Sequence, residues 1–425
     1  MKKFFVPLVL FLFVILSCDD KKDKSTTTDS TKVDSVKVDS VKQEKETDDA
    51  PIEPKIATML FDASYSMKGY LDSSNDSRFS GVVSYFMNIP QTVTVYFYGN
   101  EENQAIDHND FSKKLNKRQI PWSQESDIIA MIKSMKRHIK EGSDVCFLVT
   151  DAILSGSNEQ IANSPNRTYN IKERQTMANN LYKGLEDQTL YSALLIRYKA
   201  TFNGKYSCYD NAVRKIINKE RPFYLIAMGK WKYIKYLEKK IQEEKQANNN
   251  IITPFENIAM FGDCNSYNEI GLAYGNGLKP ESKDTYIIKS GCDSVELKST
   301  NLNKLPDYMQ TEEYLKKNIE LSVKYKSKSE SKVLDKDSYT ISLNNEKKIC
   351  SICIKSSAVK NCDLTFELKY EAPTWIETWS DDNDYDILTK PLEIDKTFNL
   401  MYLAHGFTAL NNKNNIVKKQ IFKIK

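Results

Sequence analysis

The sequence predicts an α/β domain built on a mostly parallel sheet with helices on both faces, followed by a β-rich C-terminal region. Three observations carry this. Between residues 55 and 250, apolar runs of strand length alternate with stretches whose apolar residues recur at helical spacing. Two of those runs, 56–61 and 145–150, are apolar almost throughout, as strands covered on both faces are. Past residue 250 the helical spacing fades, and short β-branched and aromatic runs follow one another between turn residues. That is the pattern of one or two antiparallel β-sandwich domains over 251–425.

The chain opens on a segment that belongs to neither region. Lys2 and Lys3 precede an apolar stretch from Phe4 to Leu16, which is too short to span a bilayer comfortably. Ser17 and Cys18 end it, and Asp19, Asp20, Lys21 and Lys22 follow at once. This reads as an export signal over 1–17. Leu16-Ser17-Cys18 resembles the bacterial lipobox, and the resemblance implies a lipid anchor on Cys18. It further implies a protein of the bacterial cell envelope, with the outer membrane expected ahead of the inner. Several acyl chains would make such an anchor stable, because each buried methylene contributes about 0.8 kcal/mol. Residues 18–54 then carry mostly Lys, Asp, Ser, Thr and Val, with Lys32-Val-Asp-Ser-Val36 repeated as Lys37-Val-Asp-Ser-Val41. So little apolar surface predicts a disordered tether.

The α/β region is expected over 55–250. Its strands fall at 56–61, 92–98, 145–150, 190–198 and 222–228. A helix over 78–87 places Phe79, Val82, Val83 and Phe86 on one face, and one over 127–140 does the same with Ile128, Ile132, Met135 and Ile139. Met177, Leu181 and Leu185 mark a third over 171–186, and a charged amphipathic helix covers 231–245. In the β-rich region, strands are expected at 285–289, 319–325, 338–343, 348–355, 364–370 and 397–403.

Composition narrows the function. Net charge is only +4, with acids and bases interspersed, so no basic face for nucleic acid is expected. Apart from Cys18, seven cysteines remain, at 146, 208, 264, 292, 350, 353 and 362. Their number is odd and their spacing is not that of a disulfide framework. Cys350 and Cys353 sit in a strand-like run, where a separation of three puts them on opposite faces and argues against a zinc pair. Three histidines, 108, 138 and 405, lie far apart in sequence. That weakens any mechanism needing a histidine base.

The informative residues stand at strand ends. The first apolar run ends in Phe61-Asp62-Ala63-Ser64-Tyr65-Ser66-Met67, the run 145–150 ends at Asp151, and Glu125-Ser126-Asp127 opens a helix between them. Ligands of open α/β sheets bind at the carboxyl ends of the strands, where these loops meet. Asp62-x-Ser64-x-Ser66 after a buried strand resembles the metal-ion-dependent adhesion site of von Willebrand factor A domains. Asp151 matches that family's second Asp, and Ser126 stands where the family offers a Thr. The resemblance covers roughly residues 55–246. It implies a sheet of that family's kind, a metal held by Asp62, Ser64, Ser66, Ser126 and Asp151, and a protein partner whose carboxylate completes the shell. Independently, carboxylates and hydroxyls are hard oxygen donors suited to Mg²⁺ or Mn²⁺.

The expected function is therefore binding rather than catalysis, by a module anchored to the membrane. A phosphatase-like metal-dependent hydrolase is the alternative. It would need a second acid two residues after Asp62 to protonate the leaving group, and that position is Ser64. A scaffold with a vestigial metal site is the third reading. One further acidic stretch has calcium-loop spacing, with Asp382, Asp384, Asp386 and Glu393, but Ile387 stands where such a loop has Gly. A solvated acidic loop is the expectation there, with Ca²⁺ as the alternative.

Overall fold

The computed structural model describes residues 50–72, 76–124, 127–154, 171–185, 191–207, 213–246, 255–262, 270–326, 330–381, 393–411 and 415–425. The export signal with Cys18, all but the last residues of the tether, Cys208, Cys264, Ser126, and Asp382, Asp384 and Asp386 lie outside them.

Seven strands form the main sheet: β1 (Ile56–Asp62), β2 (Thr92–Tyr98), β3 (Ile106–Asp107), β4 (Val145–Thr150), β5 (Tyr191–Ser207), β6 (Val213–Lys230) and β7 (Asn257–Gly262). Their order is β3-β2-β1-β4-β6-β5-β7. β1 pairs in parallel with β2 and β4, and β5 runs the same way, whereas β3, β6 and β7 run against them. The helices are α1 (Tyr65–Leu71), α2 (Arg78–Met87), α3 (His108–Asn116), α4 (Ile128–Lys140), α5 (Ile171–Leu185) and α6 (Trp231–Gln246).

Both faces of the sheet are covered, and two neighbouring residues of β2 show it. Consecutive strand residues point to opposite faces. The Phe97 ring lies 5.5 Å from Phe111 of α3, and the Tyr96 ring lies 4.7 Å from His138 of α4. Covered this way, β4 is buried at all of its positions and β1 at all but Ile56. Nothing on these strands can be polar without a partner, which makes the residues at their ends conspicuous.

β5 and β6 stay paired from Tyr191↔Lys230 to Ser207↔Val213. The expected strands, 190–198 and 222–228, cover only the half of this hairpin that lies within the sheet. Because Tyr224 pairs with both Thr150 and Arg197, everything past that level overhangs the carboxyl end of β4. The overhang folds down onto α1. A methyl group at Gly69 would lie 2.4 Å from the Phe202 ring, and one at Gly204 would lie 2.8 Å from the Gly69 Cα. Glycine at both positions lets helix and arm touch.

The C-terminal region pairs its strands antiparallel in its two larger sheets, apart from one pair. Its strands are β8 (Gly271–Tyr274), β9 (Leu278–Ser282), β10 (Thr285–Ile288), β11 (Ser294–Thr300), β12 (Ile319–Tyr325), β13 (Lys332–Val333), β14 (Tyr339–Asn344), β15 (Ile349–Lys355), β16 (Cys362–Lys369) and β19 (Ile416–Ile424). Six of them form a sheet ordered β13-β12-β16-β19-β10-β9, and four form β14-β15-β11-β8. β10 and β19 are the parallel pair. Gln420 of β19 ties the sheets together, accepting from Leu272 N at 2.8 Å and donating to Leu272 O at 2.9 Å. On β15, Cys350 is buried and Cys353 faces outward, on opposite sides as their spacing requires.

Two sequence expectations need correction. The α/β region does not stop near residue 250, because β7 supplies its edge strand. Residues 397–403 are not a strand either. β18 (Thr397–Phe398) pairs with β17 (Ser380–Asp381), Asn399 turns left-handed at φ 59°, and a helix, Leu400–Phe407, follows. Leu400, Leu403, Ala404 and Phe407 fall on one buried helical face, and a methyl group at Gly406 would meet Leu181 of α5 at 2.4 Å. A short apolar run fits strand and helix alike, and packing decided. The segment 393–411 thus forms a strap that returns to the α/β sheet before β19 enters the six-stranded one.

Candidate metal centre

Asp62 is the last residue of β1, and it is buried. In the register of the parallel strands Phe61 faces Val149, so Asp62 and Thr150 are neighbours on the same side. They are bonded: Thr150 Oγ1 donates to Asp62 Oδ2 at 2.8 Å. Ser64 N donates to the other oxygen, Oδ1, at 3.0 Å. The carboxylate is therefore held at both oxygens, with lone pairs left over.

Ser64 stands at the N-cap of α1, the position where a serine hydroxyl ordinarily bonds a backbone N–H. Its hydroxyl makes no such bond and pairs with Ser66 Oγ at 2.9 Å. Plain helix capping therefore does not account for this serine pair. The loop that leads into α4 lies against the same turn. Tyr65 N donates to Ser123 O at 2.9 Å, and Ser123 N donates to Ala63 O at 2.7 Å. The cap of α4 is Asp127, whose carboxylate accepts from Ile129 N and Ala130 N. Ser126 itself lies outside the described residues.

Asp151 follows β4 and is buried at 4% exposure. Ile153 N donates to its Oδ1 at 3.4 Å, while Oδ2 is buried without a hydrogen-bond partner among the described residues. Thr150 Oγ1 also accepts from Ala152 N at 3.1 Å, so one hydroxyl links both acid loops. Ala152 has φ 58°, a left-handed conformation that non-glycine residues seldom adopt.

Burial, then the charge of Asp151, pushes the Asp62 carboxyl up to about 6, against hydrogen bonds from Ser64 and Thr150 that pull it down. Burial also raises Asp151, opposed by the Ser66 hydroxyl and by Arg221. Arg221 is itself buried, its guanidinium 4.0 Å from the Tyr206 ring centre. Two buried carboxyls this close are stable when one carries a proton or when a cation lies beside them. The donor set fits a hard divalent cation: two carboxylates, one with an unpartnered oxygen, and the hydroxyls of Ser64 and Ser66, the latter half-exposed. No group of three or more His, Cys, Asp and Glu side chains gathers among the described residues, so any metal here relies on hydroxyl and water oxygens.

Of the five residues expected to hold a metal, the structure brings together Asp62, Ser64, Ser66 and Asp151. Thr150, Ser123 and Arg221 were not expected. Thr150 was open to inference, because a hydroxyl just before Asp151 falls beside Asp62 once the two strands are paired in parallel. Arg221 was not, because it arrives on a strand that runs against the others. Of the calcium-loop acids only Glu393 is described, in a short 3-10 turn, Glu393–Asp395.

No family model, no curated protein and no solved structure matches this chain.

Proposed function

We propose that this chain is a membrane-anchored binding protein whose α/β part engages a protein partner through a Mg²⁺-centred site. The sheet is read as one of the von Willebrand factor A kind. Asp62, Ser64 and Ser66 would hold the ion, with Ser126 and Asp151 completing or orienting the shell. Mn²⁺ meets the same donors. A bound cation would supply positive charge and an open coordination position for a partner's carboxylate.

The observation that carries the reading is the meeting of Asp62 and Asp151, buried at the ends of adjacent strands, beside a serine pair that caps nothing. The Asp62 carboxylate is already gripped at both oxygens, so its orientation is set before any ion arrives. Ser66, half-exposed, marks the side open to solvent. Anchoring through Cys18 would place this module in the cell envelope.

Titration calorimetry with Mg²⁺ on the wild type and on Asp62→Ala tests the reading. Saturable binding by the wild type and none by the variant is expected. Equal heats from both would remove the site.

A further inference from the structure

The loop that carries Asp151 is bonded to the C-terminal region as well as to itself. Its described part passes from Thr150 through the left-handed Ala152 to Leu154, and the strap 393–411 clasps it at Leu154. Asn399 Nδ2 donates to Leu154 O at 2.8 Å, and Leu154 N donates to Phe398 O at 3.4 Å. Asn399 is fully buried, and its own N–H donates to Asp381 O at 2.7 Å. Its side chain therefore sits on a backbone fixed from both sides. A second tie runs beside it, with Thr397 Oγ1 2.8 Å from Tyr224 OH, and Tyr224 is the sheet neighbour of Thr150. Asp395 anchors the start of the strap, through its carbonyl to Arg197 at 2.8 Å and its carboxylate to Lys199 at 3.1 Å.

We propose that Asn399 is a positioning residue for the carboxylate pair: through Leu154 it holds the Asp151 loop so that Asp151 faces Asp62. This rests on the metal reading of the site. It adds that the C-terminal region, through the strap, sets the geometry of a centre on the α/β sheet. The physical ground is that Asp151 is one residue from a strained position. A loop with Ala152 at φ 58° relaxes unless its surroundings overdetermine it. Thr150 fixes one side of that residue and Asn399 fixes the other.

Asn399→Gly is the chosen variant, because glycine keeps the left-handed backbone while removing the side chain that reaches Leu154. Two properties of the full chain are read. Amide hydrogen exchange at Ile153 and Leu154, without metal, should accelerate by at least tenfold. The Mg²⁺ dissociation constant from calorimetry should rise about 10- to 100-fold, as on losing a group that orients a ligand. Asn411→Ala is the comparator: it removes a buried strap bond, Gly262 N to Asn411 Oδ1 at 2.8 Å, away from the Asp151 loop. It should lower the melting temperature while leaving both readouts unchanged. Unchanged exchange in Asn399→Gly overturns the inference, and so does faster exchange with an unchanged dissociation constant. A wild type that binds no Mg²⁺ overturns the metal reading instead, and the exchange rates then decide whether the strap holds the loop.

Discussion

The two regions of this protein bury their strands differently, and the difference decides where polar residues carry information. β1 and β4 lie between two layers of helices and are buried almost end to end. β12 and β16 of the C-terminal sheet alternate between a buried and a half-buried face. On that outer face acids and bases pair across strands, as Lys369 does with Glu320 and Lys419 with Glu367. Such pairs are ordinary solvated surface and contribute little. An acid at the end of β1 has no such outlet. Asp62 and Asp151 are tolerated only because hydroxyls and backbone N–H groups hold them, and burial raises the proton affinity of both, with the charge of Asp151 adding to it at Asp62. A carboxylate is thus informative in the first region and nearly silent in the second.

Substitutions in each region test this contrast. The largest effect belongs to the doubly covered sheet: Phe147→Ala should cost about 3–5 kcal/mol in chemical denaturation, because its cavity is enclosed on every side. A loss below about 1 kcal/mol would mean that β4 is not packed from both faces. Next is the contact between arm and helix. Gly69→Ala drives a methyl into the Phe202 ring and should cost about 1–3 kcal/mol. A neutral result there would show that the arm does not rest on α1.

The acid pair predicts a pH effect of definite sign. Asp62 has its folded pKa raised to about 6, so its contribution is fully present below the ordinary carboxylate range and is lost as pH rises through about 6. Metal-free protein should therefore melt higher at pH 5 than at pH 7, and Asp62→Asn should flatten that slope. Asp76 acts in the opposite sense: hydrogen bonds from Arg78 and Thr201 pull it well below the usual range, so its contribution fades only at more acidic pH. The smallest effect belongs to the C-terminal surface. Glu367→Ala should change stability by less than about 1 kcal/mol, and a larger loss would mean that this face is covered.

Much of the α/β region was legible because its signals are local. Phe79, Val82, Val83 and Phe86 repeat at helical spacing, and α2 follows them. Asp62-x-Ser64-x-Ser66 sits at a strand end in sequence and in space. What stayed hidden depends on pairings distant in the chain. The overhang of β5 and β6 is held where Phe202 and Gly204 of β5 meet Gly69 of α1, far apart in the chain, and no periodicity announces it. The strap was misread because Thr397 to Leu403 is apolar enough for a strand, while the left-handed Asn399 and the fit against Leu181 make it a helix. Thr150 lay between the two kinds of signal: its neighbour was nominated, yet its bond to Asp62 needed the register.

The account stands or falls on whether the acid pair takes a divalent cation. Thermal melts of the wild type and of Asp62→Ala, with and without millimolar Mg²⁺, at pH 7, measure this directly. Binding to the folded state alone stabilises by mass action, by about 2.7 kcal/mol when the ion is a hundredfold above its dissociation constant. The wild type should melt several degrees higher with Mg²⁺, and Asp62→Ala should not respond. A wild-type melting temperature unmoved by Mg²⁺ or Mn²⁺ would contradict the account, and the buried acids would then be balanced by protonation alone.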